Sequence, residues 1–374
     1  MTTSGVPRFL AISGDIDRLL DLEASVGQRV STFRYELLNG LTGIRIGDVH
    51  PLRSTIPVLV HNTQNTIMRT LTGVNFGVDD TAQMNPLTDR IRVFMMINLP
   101  DGTQEEFPLG RYMYDSFTRQ TTTGGDLSQN GLFDEMFIID QAMTSGFSCI
   151  AHEQVEDAIK RLLAPLVDAG LIRIQLAGSG IVAGGSWPSG TSRAQVLSDL
   201  CKQGGYFQPW FDNDGIMQAI LSFNPADVLP TYDFDLSQVV YRNTISYTND
   251  FLDAPNQYVV VNNSGTTTSA SSVGSVGIYN VPSAAPWSAQ NRGFVIPKQI
   301  ELQASADGSV QGIANTIAQQ SIVFERVQLS TAPDPRHDSY DVIRWQDQQW
   351  MEISWSMQLQ EGAPTLRTIR KAYA

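Results

Sequence analysis

Asp89-Arg90-Ile91-Arg92-Val93 and Asp341-Val342-Ile343-Arg344-Trp345 carry one short pattern twice, Asp-x-Ile-Arg followed by a large apolar residue. A hairpin is expected after each. In the first copy it runs from Met95 to Leu99, through Pro100-Asp101-Gly102, and back from Glu106 to Tyr114. In the second it runs through Gln346-Asp347-Gln348-Gln349 into Trp350 to Leu359. Asp-Gly suits the left-handed conformations of tight hairpin turns. Ahead of each copy lies a helix-like segment with Asn-Thr-Ile, at 65–67 and 315–317, which is 24 and 26 residues before the respective Asp. The shared order is helix, strand, Pro-bearing loop, Asp-x-Ile-Arg strand, hairpin. It predicts two related β modules in one chain, with the two Asp-initiated strands equivalent.

The bulk composition sets the frame. A chain of 374 residues is expected to hold two or three domains. Its residues are 42% hydrophobic and only 17% charged, which is a folded composition and not a disordered one. The longest apolar runs, such as Val93-Phe94-Met95-Met96-Ile97, fall far short of the ~18–20 residues of a membrane span. The opening Met1 to Pro7 has no basic region followed by an apolar core, so no signal peptide is expected. The two cysteines, Cys149 and Cys201, form no Cys-x-x-Cys pair and are expected to be buried thiols. Net charge is −13, and residues 123–235 hold most of it, with 5 basic and 14 acidic residues. That acidity argues against a nucleic-acid reader, which needs a basic stripe. It is compatible with a pore through which DNA slides without sticking.

The predicted fold class is mainly β with an α+β insertion. Residues 1–30 are an N-terminal arm. Residues 31–122 form a first small β-barrel or sandwich, with a short helix over Asn62 to Leu71. Thr121 to Gly125 marks a boundary, and residues 123–235 form an α+β module. In that module Glu153 to Ala169 and Thr191 to Gln203 have helical spacing, with Pro165 expected to kink or break the first helix. The Asp212-Asn213-Asp214-Gly215 turn closes a hairpin. Residues 236–374 form a second β-barrel or sandwich with one helix, 309–324. Residues 262–277, rich in Ser, Thr and Gly, read as a long assembly loop. In Trp350 to Leu359, alternation places Met351, Ile353, Trp355, Met357 and Leu359 on the core face and Glu352 on the other.

No motif for chemistry survives its context. Gly178-Ser179-Gly180-Ile181-Val182-Ala183 follows a strand, but Gly184-Gly185-Ser186-Trp187-Pro188 cannot open the helix that a dinucleotide site needs. Asp212 to Gly215 lacks the later ligands of a calcium loop. The four histidines, His50, His61, His152 and His337, show no His-x-x-x-His or His/Glu ligand register. There is neither a Gly-x-Ser-x-Gly elbow nor a phosphate loop. The expectation is no catalytic residue, no metal and no cofactor. Trp187 and Trp287 sit in loop sequence where a large aromatic needs a partner surface, and are expected to contact neighbouring subunits.

Leu87-Thr88-Asp89-Arg90-Ile91-Arg92-Val93, Pro108-Leu109-Gly110-Arg111-Tyr112, the helix–strand–hairpin unit 191–223 and the Asp341 to Tyr373 finish together resemble the central tail-hub protein of tailed bacteriophages, which includes the N-terminal hub region of tail-associated lysins. The resemblance runs from about Ser31 onward. It implies a homotrimeric, structural virion protein at the tail tip. Its two modules per subunit would present six similar faces to a sixfold distal-tail protein or tail-tube ring. The implied partners also include the tape-measure protein, other tail-tip proteins, and DNA in transit only. No hydrolase signature occurs before Ala374, so any wall-degrading activity is expected on another chain. Two other readings stay open: a hexameric distal tail protein with a carbohydrate-binding appendage, and a polysaccharide hydrolase with two carboxylates across a groove. The six residues Asp134, Glu135, Asp140, Glu153, Glu156 and Asp157 are the test of whether the acidity of the middle third faces a channel.

Overall fold

Both Asp-x-Ile-Arg copies open strands that turn back on an antiparallel partner. The computed structural model describes residues 31–372 except 53–54, 78–79, 81–82, 100–101, 123–124, 235–239, 250–253, 263–275, 303–309 and 322–323. The N-terminal arm and almost all of the expected loop 262–277 therefore lie outside the described residues.

The first third supplies β1 (Ser31–Leu38), β2 (Arg45–Val49), β3 (Val58–Asn62), β4 (Arg69–Phe76), β5 (Arg90–Asn98), β6 (Gln104–Thr122) and β7 (Gly125–Phe133). Alternation along β5 sends Ile91, Val93, Met95 and Ile97 into one core with Leu71, Phe76, Tyr112 and Leu132. The middle holds α1 (Met136–Ile139), β8 (Phe147–Ser148), α2 (Val155–Asp168), β9 (Arg173–Leu176), β10 (Ser186–Trp187), α3 (Arg193–Gly204), β11 (Trp210–Phe211) and β12 (Ile216–Ala219). Helix α3 starts where Ser192 accepts the Gln195 N–H and stops at left-handed Gly205. The remainder is β13 (Tyr232–Asp233), β14 (Val240–Asn249), β15 (Gln257–Asn262), β16 (Val276–Asn280), α4 (Ala289–Arg292), β17 (Pro297–Leu302), α5 (Val310–Ser321), β18 (Glu325–Thr331), β19 (Val342–Trp345), β20 (Gln348–Gln358) and β21 (Thr365–Lys371).

The mainly β class with α+β parts is what the structure shows. Its closure differs from the expectation: no described sheet closes into a barrel. One sheet runs β14-β18-β21-β20-β3-β4-β7-β6-β5-β1-β2, with β19 beside β20 and β13 beside β19. The weld is β20 against β3, from Ser354 opposite Asn62 to Gln358 opposite Val58. Strand β20 thus serves two cores. Trp355, Met357 and Leu359 complete the core of the first third, while Trp350 packs with Trp345, Val327 and Ile369.

Four local expectations are corrected. The segment 62–71 is the β3–β4 hairpin and not a helix, because Asn62 Oδ1 takes the Gln64 N–H and its own N–H reaches the Met68 carbonyl. The repeat therefore holds at the strand and hairpin and fails upstream, since the second Asn-Thr-Ile does lie in α5. Thr121 to Gly125 is no boundary. Thr122 stands opposite Gly125 in the β6–β7 pair, and β7 continues onto β4, so residues 125–133 belong to the first sheet. Helix α2 continues through Pro165 to Asp168, with the proline on its exposed side. Finally, β20 is buried on both faces near its start, because Glu352 lies against Arg367.

The β19–β20 turn places Gln346 and Asp347 at φ 52° and 55°. Both therefore take the left-handed conformation that a two-residue type I′ turn demands and that Asn-Gly adopts far more readily. Gln346→Asn with Asp347→Gly is expected to stabilise the chain by roughly 1 kcal/mol. The exposed Arg344–Asp347 pair that it removes contributes little. Chemical denaturation measures this, and an unchanged or lowered midpoint would contradict it.

Candidate functional site

The densest polar chemistry lies where the three parts of the chain meet. The segment Asp334-Pro335-Arg336-His337-Asp338-Ser339-Tyr340-Asp341 is buried at every position, directly before β19. A loop this charged tolerates burial only if its groups pair. Arg336 closes on Asp334 with Nε and Nη2, at 2.9 and 2.6 Å. Asp338 Oδ1 accepts from Arg69 Nη2 of β4 at 2.5 Å and from Trp210 Nε1 of β11 at 3.0 Å. Arg69 Nη1 donates to Asn213 Oδ1, whose Nδ2 donates to the Pro335 carbonyl at 2.9 Å. The Arg69 backbone N–H donates to Asp134 Oδ2 at 2.9 Å, just after β7. One arginine so ties together all three parts of the chain.

Tyr340, at φ 64°, inserts into the middle module. Its ring stacks on Phe207 at 4.2 Å, and its hydroxyl donates to the Gln208 carbonyl. His61 of β3 meets Ser339 Oγ through Nε2 at 3.1 Å. Burial and then the neighbouring Arg69 lower His61 to about 3, so it is a neutral imidazole. On β20, Glu352 Oε1 accepts from Arg367 Nη1 of β21 at 2.5 Å. Burial alone would raise that carboxyl, but Arg367 and His337 outweigh it and hold it at about 2. Burial pushes Asp134 and Asp338 up to about 7, against the opposing pull of Arg69 on both. His337 Nδ1 lies 3.5 Å from Asp341 Oδ2 and 3.6 Å from Glu352 Oε2, under the Tyr232 ring at 3.9 Å.

Trp187 and Trp287 find their partner surfaces within the chain. Trp187 is 3% exposed, packs near Phe147, and donates Nε1 to Asp199 Oδ2 at 2.9 Å. Trp287 is 1% exposed and stacks on Phe324 at 4.6 Å. Each belongs to a hydrophobic core of the chain. The six acidic test residues divide similarly. Asp134 and Glu135 are interior, Glu135 being paired with Arg111 and Arg90. Glu153 bonds Arg161, Glu156 takes the Ser179 hydroxyl, and Asp157 pairs with Lys160. Asp140 is exposed. Of the six, then, two are interior, Glu153 and Glu156 are half-buried, and Asp140 and Asp157 are exposed.

The thiols offer no nucleophile: burial raises Cys149 to about 11 and Cys201 further still. The open cleft along Arg34, Asp48, His50 and Glu361 holds an ion-paired carboxylate, since both Asp48 oxygens are taken by Arg34 and Arg45. The junction and cleft are built for holding shape.

No protein-family model matches the chain, and no curated protein matches it. Solved structures do. A tail protein from Neisseria meningitidis MC58 aligns over 91% of this chain and 97% of its own, with TM-score 0.54 and 11% identity. The 43 kDa tail protein of prophage MuSo2 from Shewanella oneidensis aligns over 91% and 98%, with TM-score 0.55 and 10% identity. The chain has a tail-protein fold. Prophage tail protein gp18 from Listeria monocytogenes EGD-e, at TM-score 0.51 and 7% identity over 90% and 94%, has it too. At such identities the likeness lies in the backbone and not in side chains. The buried junction of this tail-protein fold was missed in the sequence because Asp341 reads as the first residue of a strand. A signal existed: His337 and Asp341 are four residues apart in a run where charged residues crowd around Pro335.

Proposed function

We propose that the chain is a structural subunit of a bacteriophage tail tip, with three copies forming a hub ring. The observation that carries this is the near end-to-end alignment with three tail proteins, over 90–91% of this chain and 94–98% of theirs. An enzyme with an appended binding module would match such proteins over one part only. The two hairpin-bearing sheet regions, welded through β3 and β20, support a subunit that offers two β faces in fixed relation. In a trimer that makes six faces, which suits a sixfold distal-tail or tube ring above. A distal-tail subunit needs one such face and has no use for the weld. The role is non-catalytic: the arginines of the junction close on carboxylates, and burial raises both thiols. Other tail-tip proteins and the tape-measure protein are the expected neighbours, and DNA passes without being held. No described helix is long and apolar enough to cross a membrane.

Native mass spectrometry of the purified chain tests the stoichiometry. The expected species is a trimer, alone or on a partner ring. A hexamer would favour the distal-tail reading, and turnover of cell-wall glycan by the pure chain would overturn the structural one.

A further inference from the structure

His337, Asp341 and Glu352 bring one ring nitrogen and two carboxylate oxygens together inside the junction. Arg69, Arg336 and Arg367 each close on a carboxylate at 2.5–2.6 Å. His337 Nδ1 and Glu352 Oε2 are buried and have no hydrogen-bond partner. Their side chains are 4% and 1% exposed, and that of Asp341 is 9%. A charged imidazole donating to either carboxylate would sit at about 2.7–2.9 Å. Separations of 3.5 and 3.6 Å are hydrogen bonds to neither.

Those separations match a different geometry. Ligand atoms at about 2.0–2.1 Å from one tetrahedral ion stand roughly 3.3 Å apart. The match rests on the two separations from His337 Nδ1, 3.5 and 3.6 Å; the three ligand atoms together lie within 4.8 Å of one another. Each side chain is also held by a neighbour. Tyr232 stacks on the imidazole, Arg367 occupies Glu352 Oε1 and leaves Oε2 free, and the Asp338 N–H holds Asp341 Oδ2 at 2.8 Å. Outer contacts of this kind orient metal ligands. The charge balance fits as well, since Arg367 neutralises only one of the two carboxylates. One nitrogen and two oxygens suit zinc-like ions better than calcium or a thiolate-seeking metal.

We propose that His337 Nδ1, Asp341 Oδ2 and Glu352 Oε2 bind one divalent transition-metal ion, with water in the fourth position. The ion staples the 334–341 loop to β20, the strand that joins the two halves of the sheet. Its binding energy therefore adds to the stability of the junction. The inference rests on the junction geometry alone and stands whether or not the chain is a tail hub.

The test uses the full-length chain, stripped with a chelator and titrated with Zn2+ alone. One ion per chain is expected, with a raised melting temperature. X-ray absorption of the loaded protein should show a single imidazole among oxygen neighbours. His337→Gln and Asp341→Asn should each weaken binding by at least about tenfold. Three results would overturn the proposal: no saturable binding to the folded wild type, a coordination shell containing sulfur or several imidazoles, or affinity unchanged in a folded variant. The absorption reading needs no variant, so a substitution that fails to fold leaves the test intact.

Discussion

Arg367→Met is expected to cost about 3–5 kcal/mol of stability, because it strands the Glu352 carboxylate inside the sheet with its nearest counter-charge removed. Both side chains are 1% exposed, and Arg367 also donates Nε to Thr331 Oγ1 at 2.8 Å. Removing both charges together, as Arg367→Met with Glu352→Met, should recover most of the loss, since an apolar pair of similar volume replaces an ion pair whose desolvation it offsets. Urea unfolding of the two variants measures this. A single substitution costing less than about 1 kcal/mol would show that the pair is not the buried clamp between β20 and β21 described above. The penalty also depends on pH. Glu352 is held at about 2, below its ordinary value of 4.5. The pair's stabilisation is fully present above pH 4.5 and lost as pH falls through about 2, so the difference between wild type and variant should shrink across that window.

The second large effect is the pH profile of the intact chain. Asp134 and Asp338 are raised from 3.8 to about 7, and burial likewise raises Asp341 and Glu135. A carboxyl with a raised folded-state value binds its proton more tightly in the native state than in the unfolded chain. These carboxyls make stability fall as pH rises from about 4 to about 7; His61, lowered from 6.5 to about 3, opposes part of that fall, and the depressed Glu352 makes stability rise from about 2 to about 4.5. The expected maximum lies near pH 4–5, below the pH 5–8 range usual for globular proteins, and the decline to pH 7 is on the order of a few kcal/mol. Unfolding free energies at one-unit pH intervals give the curve. Asp134→Asn should flatten its descending side, and a curve that climbs from pH 4 to pH 7 would refute the assignment.

Much of the strand and helix pattern was legible because it rests on local chemistry. Ser192 and Gly205 announce α3, Asp-Gly and Asn-Asp-Gly announce two hairpins, and β5 alternates cleanly. What was not legible is what depends on distant pairing. Nothing local in Val58–Asn62 says that it will lie beside Ser354 to Gln358, nearly three hundred residues away. That pairing joins the two expected barrel or sandwich modules through one open sheet. The same ignorance hid the junction. Arg69, Asn213 and Asp338 are unremarkable where they stand in the chain and become a network only when the sheet closes the distance between them. Trp187 and Trp287 misled for a related reason: their flanking sequence suggested exposure, whereas Trp187 lies in β10 beside β8 and both indoles are buried. An aromatic partner of Trp287 is Phe324, just after α5 in the chain.

The central claim is that this chain is a structural subunit of a threefold tail tip. Cryo-electron microscopy of virions carrying a tagged copy tests it most directly. The expected result is three tagged densities in a ring at the tip, each filled by the welded sheet with β3 beside β20. Tagged density repeated along the tube, six copies in the ring, or none on the virion would contradict it.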